Sequence, residues 1–195
     1  MKIKRLNRHS WHSKRAKIFQ SISTSICLLS LTSCHSTHLW VNCRSTSPSA
    51  GETVKIERVV SGQTLERAGN GQSKVIQRVR LIGINAPDLK QKPWGPKARK
   101  RLEELIDDKP VLLEFEVEKE DRYQRQLAYI WQEKVLLNEK LVAEGYVLAA
   151  PQLPNTKYDR CLMRAQEQAR IMGRGIWDPG QPMRLTPAEF RERNR

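Results

Sequence analysis

The stretch that decides the fold runs from position 79 to position 88 and reads Val79-Arg80-Leu81-Ile82-Gly83-Ile84-Asn85-Ala86-Pro87-Asp88. It belongs to a largely apolar run, Val75–Ile84, which predicts a buried β-strand that ends before Pro87. Arg80 stands inside this strand, where a permanently charged guanidinium is costly unless an anion meets it. Asp88 follows the strand, so we expect its carboxylate at the same mouth of the fold.

Four further segments show the alternation of apolar and polar residues that is typical of half-buried strands. Two of them form a pair within Thr53–Arg67, with a tight turn or bulge near Gly62. A hairpin turn over Ala68–Ser73 leads from this pair into the Val75–Ile84 strand. The other two strands are Val111–Val117 and Gln126–Trp131. The charged loop Glu118–Arg125 connects them.

Three segments have the apolar spacing of surface helices. The first contains Ala98, Leu102, Leu105 and Ile106. The second is Leu136–Glu144, which Gly145 ends, and the third is Tyr158–Met172, which Gly173 ends. Together these elements predict a mainly β fold with α additions: a five-stranded OB-type Greek-key barrel packed with about three helices. We expect Pro179–Arg195 to be a loose tail, in which Thr186-Pro187 could begin a short helix.

The charge of the chain indicates a polyanionic partner. The 195 residues carry a formal net charge of +14. Seven of the basic residues and none of the acidic ones precede Cys34, so the remainder keeps a net charge of +7. Clustered Lys and Arg bind phosphates with release of counterions, whereas the alternative is a basic surface that only serves solubility.

The N-terminus has the layout of a secretory signal peptide, which we place at residues 1–33. A basic start precedes the apolar stretch Ile18–Leu31, which is shorter than the ~20 apolar residues of a membrane-spanning helix. Leu31-Thr32-Ser33-Cys34 resembles a bacterial lipobox, so we expect either lipidation of Cys34 or simple cleavage near Ser33. A flexible linker at 34–52 follows. These features predict export, as a cell-envelope lipoprotein or as a secreted or periplasmic protein.

The cysteines and histidines limit the chemistry of the folded part. No zinc-type spacing occurs, and all four histidines (His9, His12, His35 and His38) precede the domain, which excludes a histidine-based mechanism. Cys27 would be lost in processing and Cys34 could be acylated, so Cys43 and Cys161 remain as candidates for a disulfide. Export to an oxidising compartment would permit this disulfide.

A second informative stretch reads Asp121-Arg122-Tyr123-Gln124-Arg125-Gln126-Leu127-Ala128-Tyr129. Arg125 opens a strand directly after a charged loop, so it can lie at the same rim as Arg80. Two guanidiniums can bind phosphate oxygens and stabilise a five-coordinate transition state, while a carboxylate such as Asp88 orients or deprotonates water. The alternative is an Arg–Asp ion pair that only holds strand to loop.

Several motifs in the same order resemble the staphylococcal nuclease (thermonuclease) family over roughly Glu52–Trp177. Besides the two stretches above, they are Val59-Val60-Ser61-Gly62-Gln63-Thr64-Leu65, Trp94-Gly95-Pro96-Lys97-Ala98, Leu137–Tyr146, Pro154-Asn155 and Gly175-Ile176-Trp177. The resemblance implies an OB-fold nuclease domain at 53–178, with a tail at 179–195. It also implies calcium-dependent endonuclease and exonuclease action on DNA and RNA.

By the same resemblance, Arg80, Asp88 and Arg125 are the expected catalytic residues, with Arg80 and Arg125 on phosphate and Asp88 as the general base. Tyr123 and Arg122 are the expected substrate-binding residues, although Tyr123 could equally be a packing residue. The family holds Ca²⁺ with carboxylates of its "DGDT" and "D-[TA]-P-E" motifs, which correspond here to Gln63 and to Asn85-Ala86. Replacement of both carboxylates by amides predicts weak Ca²⁺ binding at Gln63, Asn85 and Ala86.

The sequence therefore predicts an exported nuclease, acting as a monomer, that hydrolyses phosphodiester bonds of DNA, RNA or both. Its membrane contact would be limited to the lipid anchor. The alternative from another class is a catalytically weak or inactive domain that binds nucleic acid. A lipoprotein without a ligand explains Arg80 in a buried strand poorly.

Overall fold

A computed structural model describes Pro48, residues 51–69 and residues 75–194. The predicted signal peptide, Cys34, Cys43 and most of the predicted hairpin turn after Ala68 lie outside the described residues. No helix within the described ranges is both long and apolar enough to cross a membrane.

Short strands and helices alternate along the domain. The strands are β1 (Glu52–Val54), β2 (Ile56–Ser61), β3 (Thr64–Ala68), β4 (Ile76–Leu81), β5 (Ile84–Asn85), β6 (Val111–Glu114), β7 (Gln126–Gln132), β8 (Val135–Leu136) and β9 (Leu148–Ala149). The helices are α1 (Trp94–Ile106), α2 (Leu137–Ala143), α3 (Asp159–Ile171) and α4 (Pro187–Arg193), and Gly175–Trp177 forms a 3-10 turn. The five long strand segments and the three predicted helices are all present, within a few residues of their predicted bounds.

The predicted Val75–Ile84 strand is divided into two. A turn at Ile82-Gly83 separates β4 from β5, and Gly83 has a φ of 73°, a left-handed conformation that glycine adopts without a steric penalty. After this turn β5 leaves the main sheet and pairs with β9. The turn places Asn85 and Asp88 beyond the end of the main sheet.

Seven strands form one mixed sheet in the described part of the chain, in the order β1-β6-β7-β4-β3-β2 with β8 beside β7. The β4–β7 pair is parallel, with Arg80 opposite Leu127. The mainly β character is as predicted, but the closed five-stranded Greek-key barrel is not confirmed. The hydrogen-bonded path is open, because β1 pairs with β6 and β2 with β3 and neither pairs with the other.

The core contains polar groups that join helices to the sheet. The Glu114 carboxylate is fully buried and accepts hydrogen bonds from Trp131 Nε1 at 2.6 Å and Tyr158 Oη at 2.9 Å, and it also pairs with Lys157. Asn138 of α2 accepts from the Ile130 N–H at 3.0 Å. These satisfied polar groups fix the positions of β6, β7, α2 and α3 relative to one another.

Helix α1 packs closely against the loop that carries Asp88. A Cβ atom added to Gly95 would lie 1.9 Å from the carbonyl oxygen of Asp88. One added to Gly62 would lie 2.7 Å from the Cβ of Ala98. Both glycines therefore permit approaches that a side chain would prevent, and these approaches fix the loop after β5.

The C-terminal segment is attached to the domain, in contrast to the loose tail we expected. Helix α4 begins at the position predicted from Thr186-Pro187, and Thr186 with Glu189 forms a capping box. Gln91 Nε2 donates to the carbonyl oxygen of Leu185 at 2.7 Å, and the Met183 N–H donates to that of Ile176 at 2.9 Å. These contacts hold α4 beside the loop after β5.

Cys161 of α3 is disulfide-bonded. The other cysteines, Cys27, Cys34 and Cys43, lie outside the described residues. The pairing of Cys43 with Cys161 therefore stays a prediction.

Candidate phosphate-binding site

Arg80 lies where the sequence predicted it, in the central strand β4. Its guanidinium turns toward the end of the sheet, where Nη1 donates to the carbonyl oxygen of Leu81 at 2.5 Å and Nη2 to that of Ile84 at 2.6 Å. A guanidinium has five N–H donors, so three remain for an anion. The strand and the turn thus orient Arg80 without neutralising its charge.

Arg125 lies one residue before β7, and the parallel β4–β7 pairing brings it to the same end of the sheet as Arg80. Its Nη2 atom pairs with Asp121 Oδ2 at 2.6 Å, and its Nε atom donates to the same oxygen at 2.8 Å. The other carboxylate oxygen of Asp121 accepts from the N–H groups of Tyr123 and Arg125. Asp121 thereby fixes both the loop and the direction of Arg125.

The basic groups near Arg80 affect its pKa. Burial and then the positive charges of Arg125 and Arg191 lower the pKa of Arg80 to about 10, while Asp121 opposes this shift. Burial of Asp121 raises the pKa of its carboxyl group, but the hydrogen bonds from Arg125 and Tyr123 outweigh burial and lower it overall. Arg80 remains charged at neutral pH, in a place where positive charge is in excess.

Tyr123 and Arg122 form an exposed extension of this site. Tyr123 is 63% exposed, so its ring does not pack in the core. The guanidinium carbons of Arg122 and Arg125 lie 4.8 and 5.4 Å from the ring centroid of Tyr123. Arg122 Nη2 also donates to Tyr123 Oη at 2.8 Å. The arrangement places an exposed aromatic ring beside two cations, and these are groups of the kind that bind nucleotides.

Asp88 is half-buried in the loop after β5. One carboxylate oxygen, Oδ1, accepts from the Lys90 N–H at 2.8 Å. Asp88 forms no ion pair with Arg80 or Arg125 among the described residues, whereas Arg125 pairs with Asp121. An Arg–Asp ion pair that holds strand to loop is therefore present, and it involves Asp121 instead of Asp88. The second oxygen of Asp88, Oδ2, has no protein partner within the described ranges and can accept a hydrogen bond from water.

The residues in the expected calcium positions do not fit that ion. Gln63 Oε1 accepts from the Ala86 N–H at 2.6 Å, and Asn85 Oδ1 accepts from Arg191 Nη2 at 3.0 Å. Both oxygens belong to neutral amides and already have donors, whereas Ca²⁺ needs several oxygens, with affinity that rises with their charge. Among the described residues, no group of three His, Cys, Asp or Glu side chains is placed to hold a metal.

Three residues that position the site were not assigned a role from the sequence. Asp121 orients Arg125, and its spacing of four residues from an arginine was a visible signal. Asn155 accepts from the N–H groups of Val117 and Glu118, both at 3.0 Å, and so holds the start of the loop. Arg191 had no signal, because its partner Asn85 lies 106 residues earlier.

The fold and the site define a mainly β protein with α additions that gathers guanidinium groups at one end of its sheet. The chain belongs to the family of staphylococcal nuclease homologues, whose family model matches residues 78–179, more than half of the chain.

Several named proteins support this assignment. The thermonuclease of Staphylococcus hyicus is 34% identical over 131 residues, which cover 65% of this chain and 76% of that protein. The thermonuclease of Staphylococcus intermedius is 32% identical over 140 residues, 69% of this chain and 82% of that protein. An uncharacterized endonuclease of Haemophilus influenzae is 31% identical over 143 residues, 73% of this chain and 75% of that protein.

Proposed function

We propose that this chain is an exported nuclease that hydrolyses phosphodiester bonds of DNA, RNA or both. The observation that carries the proposal is the convergence of Arg80 and Arg125 at the end of the β4–β7 pair. The family and the names of the relatives support a hydrolase that acts on phosphodiester bonds. We also infer an OB-type barrel for the sheet, since β1 and β2 lie at its two ends and are joined through Lys55 alone.

The residues divide the reaction between them. The remaining donors of Arg80 and those of Arg125 bind the phosphate oxygens and stabilise the charge that develops on the five-coordinate phosphorus. Asp88 Oδ2 orients the attacking water and accepts its proton. As the water oxygen bonds to phosphorus, the bond from phosphorus to the leaving oxygen breaks, and that oxygen takes a proton from solvent. The exposed ring of Tyr123 supports the neighbouring nucleotide.

Cleavage of single-stranded DNA and RNA by the full chain tests this proposal. Arg80→Ala and Arg125→Ala should each reduce the rate by about 10²-fold or more, the usual loss when one donor to a developing oxyanion is removed. Arg184→Ala is the matched control, because Arg184 is an exposed arginine of the C-terminal segment. Absence of cleavage by folded protein, with Ca²⁺ and with chelator, would exclude the nuclease.

The second candidate is a module that binds nucleic acid without cleaving it, and the amides at Gln63 and Asn85 favour it. This module would bind an oligonucleotide in a salt-sensitive manner and leave it intact. Export, with either lipidation of Cys34 or simple cleavage near Ser33, and a monomeric state remain part of the proposal. Mass spectrometry of the mature N-terminus and light scattering test them.

A further inference from the structure

Arg191 reaches the position at which the expected metal site would lie. It belongs to α4, and its Nη2 atom donates to Asn85 Oδ1 at 3.0 Å. Its positive charge is close enough to Arg80 to lower the pKa of that residue. The side chain therefore contacts Asn85 and lies near Arg80, the arginine proposed to bind phosphate.

The contact rests on a helix that is anchored at its start. The capping box of Thr186 and Glu189 fixes the first turn of α4, and the hydrogen bond from Gln91 to Leu185 holds the preceding residue on the domain. Asn85 uses one of the five donors of Arg191, so four remain available. The Arg191 residue is exposed, so these donors can reach a bound substrate.

The residues at the expected metal position, Asn85 and Gln63, carry neutral amides, which suit a guanidinium better than a divalent cation. An amide oxygen at Asn85 accepts a hydrogen bond from an arginine without a buried ion pair. A carboxylate at the same position would pair with Arg191 and cancel its charge. Gln63 is likewise neutral, and its oxygen is occupied by the Ala86 N–H.

We infer that Arg191 binds the substrate phosphate and supplies, as a resident cation, the positive charge that Ca²⁺ provides in the family. This inference rests on the proposed function, since it assigns a further substrate-binding residue to the same site. It extends the pair of arginines to three, with the third contributed by the C-terminal helix. Phosphate binding by this chain would then be independent of Ca²⁺.

The experiment compares Arg191→Ala, Arg191→Gln and Arg191→Lys with wild type and with the control Arg184→Ala. Cleavage of single-stranded DNA and binding of a short single-stranded oligonucleotide are each measured with Ca²⁺ and with EDTA. Thermal melting of every variant verifies that it is folded. A triple variant, Gln63→Asp/Asn85→Asp/Arg191→Ala, restores the two carboxylates and removes the guanidinium.

We expect wild type to cleave equally well with Ca²⁺ and with EDTA. Arg191→Ala and Arg191→Gln should lose about 10²-fold in rate under both conditions, whereas Arg191→Lys should retain more activity. The triple variant should regain cleavage only with Ca²⁺.

Two results would overturn the inference and leave the nuclease intact: cleavage by wild type only with Ca²⁺, or Arg191→Ala cleaving as fast as Arg184→Ala. A folded wild type that never cleaves would instead contradict the proposed function. In that case the affinity for the oligonucleotide tests the role of Arg191. A lower affinity of Arg191→Ala but not of Arg184→Ala would support phosphate binding by Arg191. Equal affinities of the two variants would exclude phosphate binding by Arg191.

Discussion

Asp121 orients a cationic group of the proposed site. Its two oxygens accept from the side chain of Arg125 and from two backbone N–H groups of the loop. The side chain of Asp121 is only 13% exposed, so these bonds form largely away from water. The carboxylate therefore keeps Arg125 directed toward the site, but it also reduces the positive charge there.

The pH dependence of stability should report this role. Because the folded-state pKa of Asp121 lies below its ordinary value of 3.8, its stabilising contribution is present above that value and is lost as the pH falls through the folded-state pKa. Asp121→Asn should lower the free energy of unfolding by about 1–2 kcal/mol at neutral pH. The difference from wild type should shrink in strong acid.

Urea denaturation at a series of pH values between neutral and strong acid measures this difference. Glu120→Gln, an exposed change in the same loop, is the control and should have little effect. A gap between wild type and Asp121→Asn that stays constant down to strong acid would contradict the assignment.

At the scale of elements, the site depends on three backbone arrangements. The parallel β4–β7 pair brings the two arginines to one end of the sheet, and the turn at Gly83 directs β5 away from the sheet. The start of α1 packs against the backbone of Asp88. The position of the proposed base thus depends on the packing of this helix against the loop.

Gly95→Ala tests the contact between α1 and the Asp88 loop. The added Cβ would lie 1.9 Å from the carbonyl oxygen of Asp88, so either the loop or the helix must move. We expect cleavage to fall by about tenfold to 10²-fold, because misplacement by about 1 Å has such effects. Oligonucleotide affinity should change little, because Arg80 and Arg125 stay in place.

The control for this change is Gly180→Ala, whose added Cβ would lie 3.3 Å from the end of the Asp178 side chain. Cleavage by Gly95→Ala at the rate of Gly180→Ala would show that the close approach does not position the base.

Local patterns were sufficient to predict most of these elements. The alternation in β6 and β7, the spacing in α1 and the Thr186-Pro187 start of α4 are signals carried by neighbouring residues, and all four elements are present. The docking of α4 and the Arg191–Asn85 contact could not be predicted, because they depend on residues far apart in sequence. The division between β4 and β5 was missed because Gly83 lies within an otherwise continuous apolar run.

For the whole molecule, the excess of positive charge should govern affinity for nucleic acid. The full chain has a net charge of +14, and the part that follows the predicted signal peptide keeps +7 after loss of seven basic residues, so the protein attracts a polyanion at long range. Each phosphate contact then releases counterions. The logarithm of the binding constant should therefore fall linearly with the logarithm of salt concentration, with a slope of about −0.7 per phosphate contact on a single strand.

Arg80→Ala and Arg125→Ala should each make this slope shallower by about 0.7, because each removes one phosphate contact. Fluorescence anisotropy of a labelled oligonucleotide at several salt concentrations measures the slopes. Arg184→Ala is again the control. If Arg80→Ala and Arg125→Ala have the same slope as Arg184→Ala, then Arg80 and Arg125 do not contact phosphate directly.

The convergence of Arg80, Arg125 and Arg191 also affects how the protein behaves in solution before any substrate arrives. Like charges held close together oppose the folded state, and an anion that binds between them relieves this repulsion and stabilises the fold by mass action. Phosphate or sulfate in a storage buffer would occupy the place of the scissile phosphate. The same salt would therefore stabilise the protein during storage and inhibit cleavage of nucleic acid in an assay.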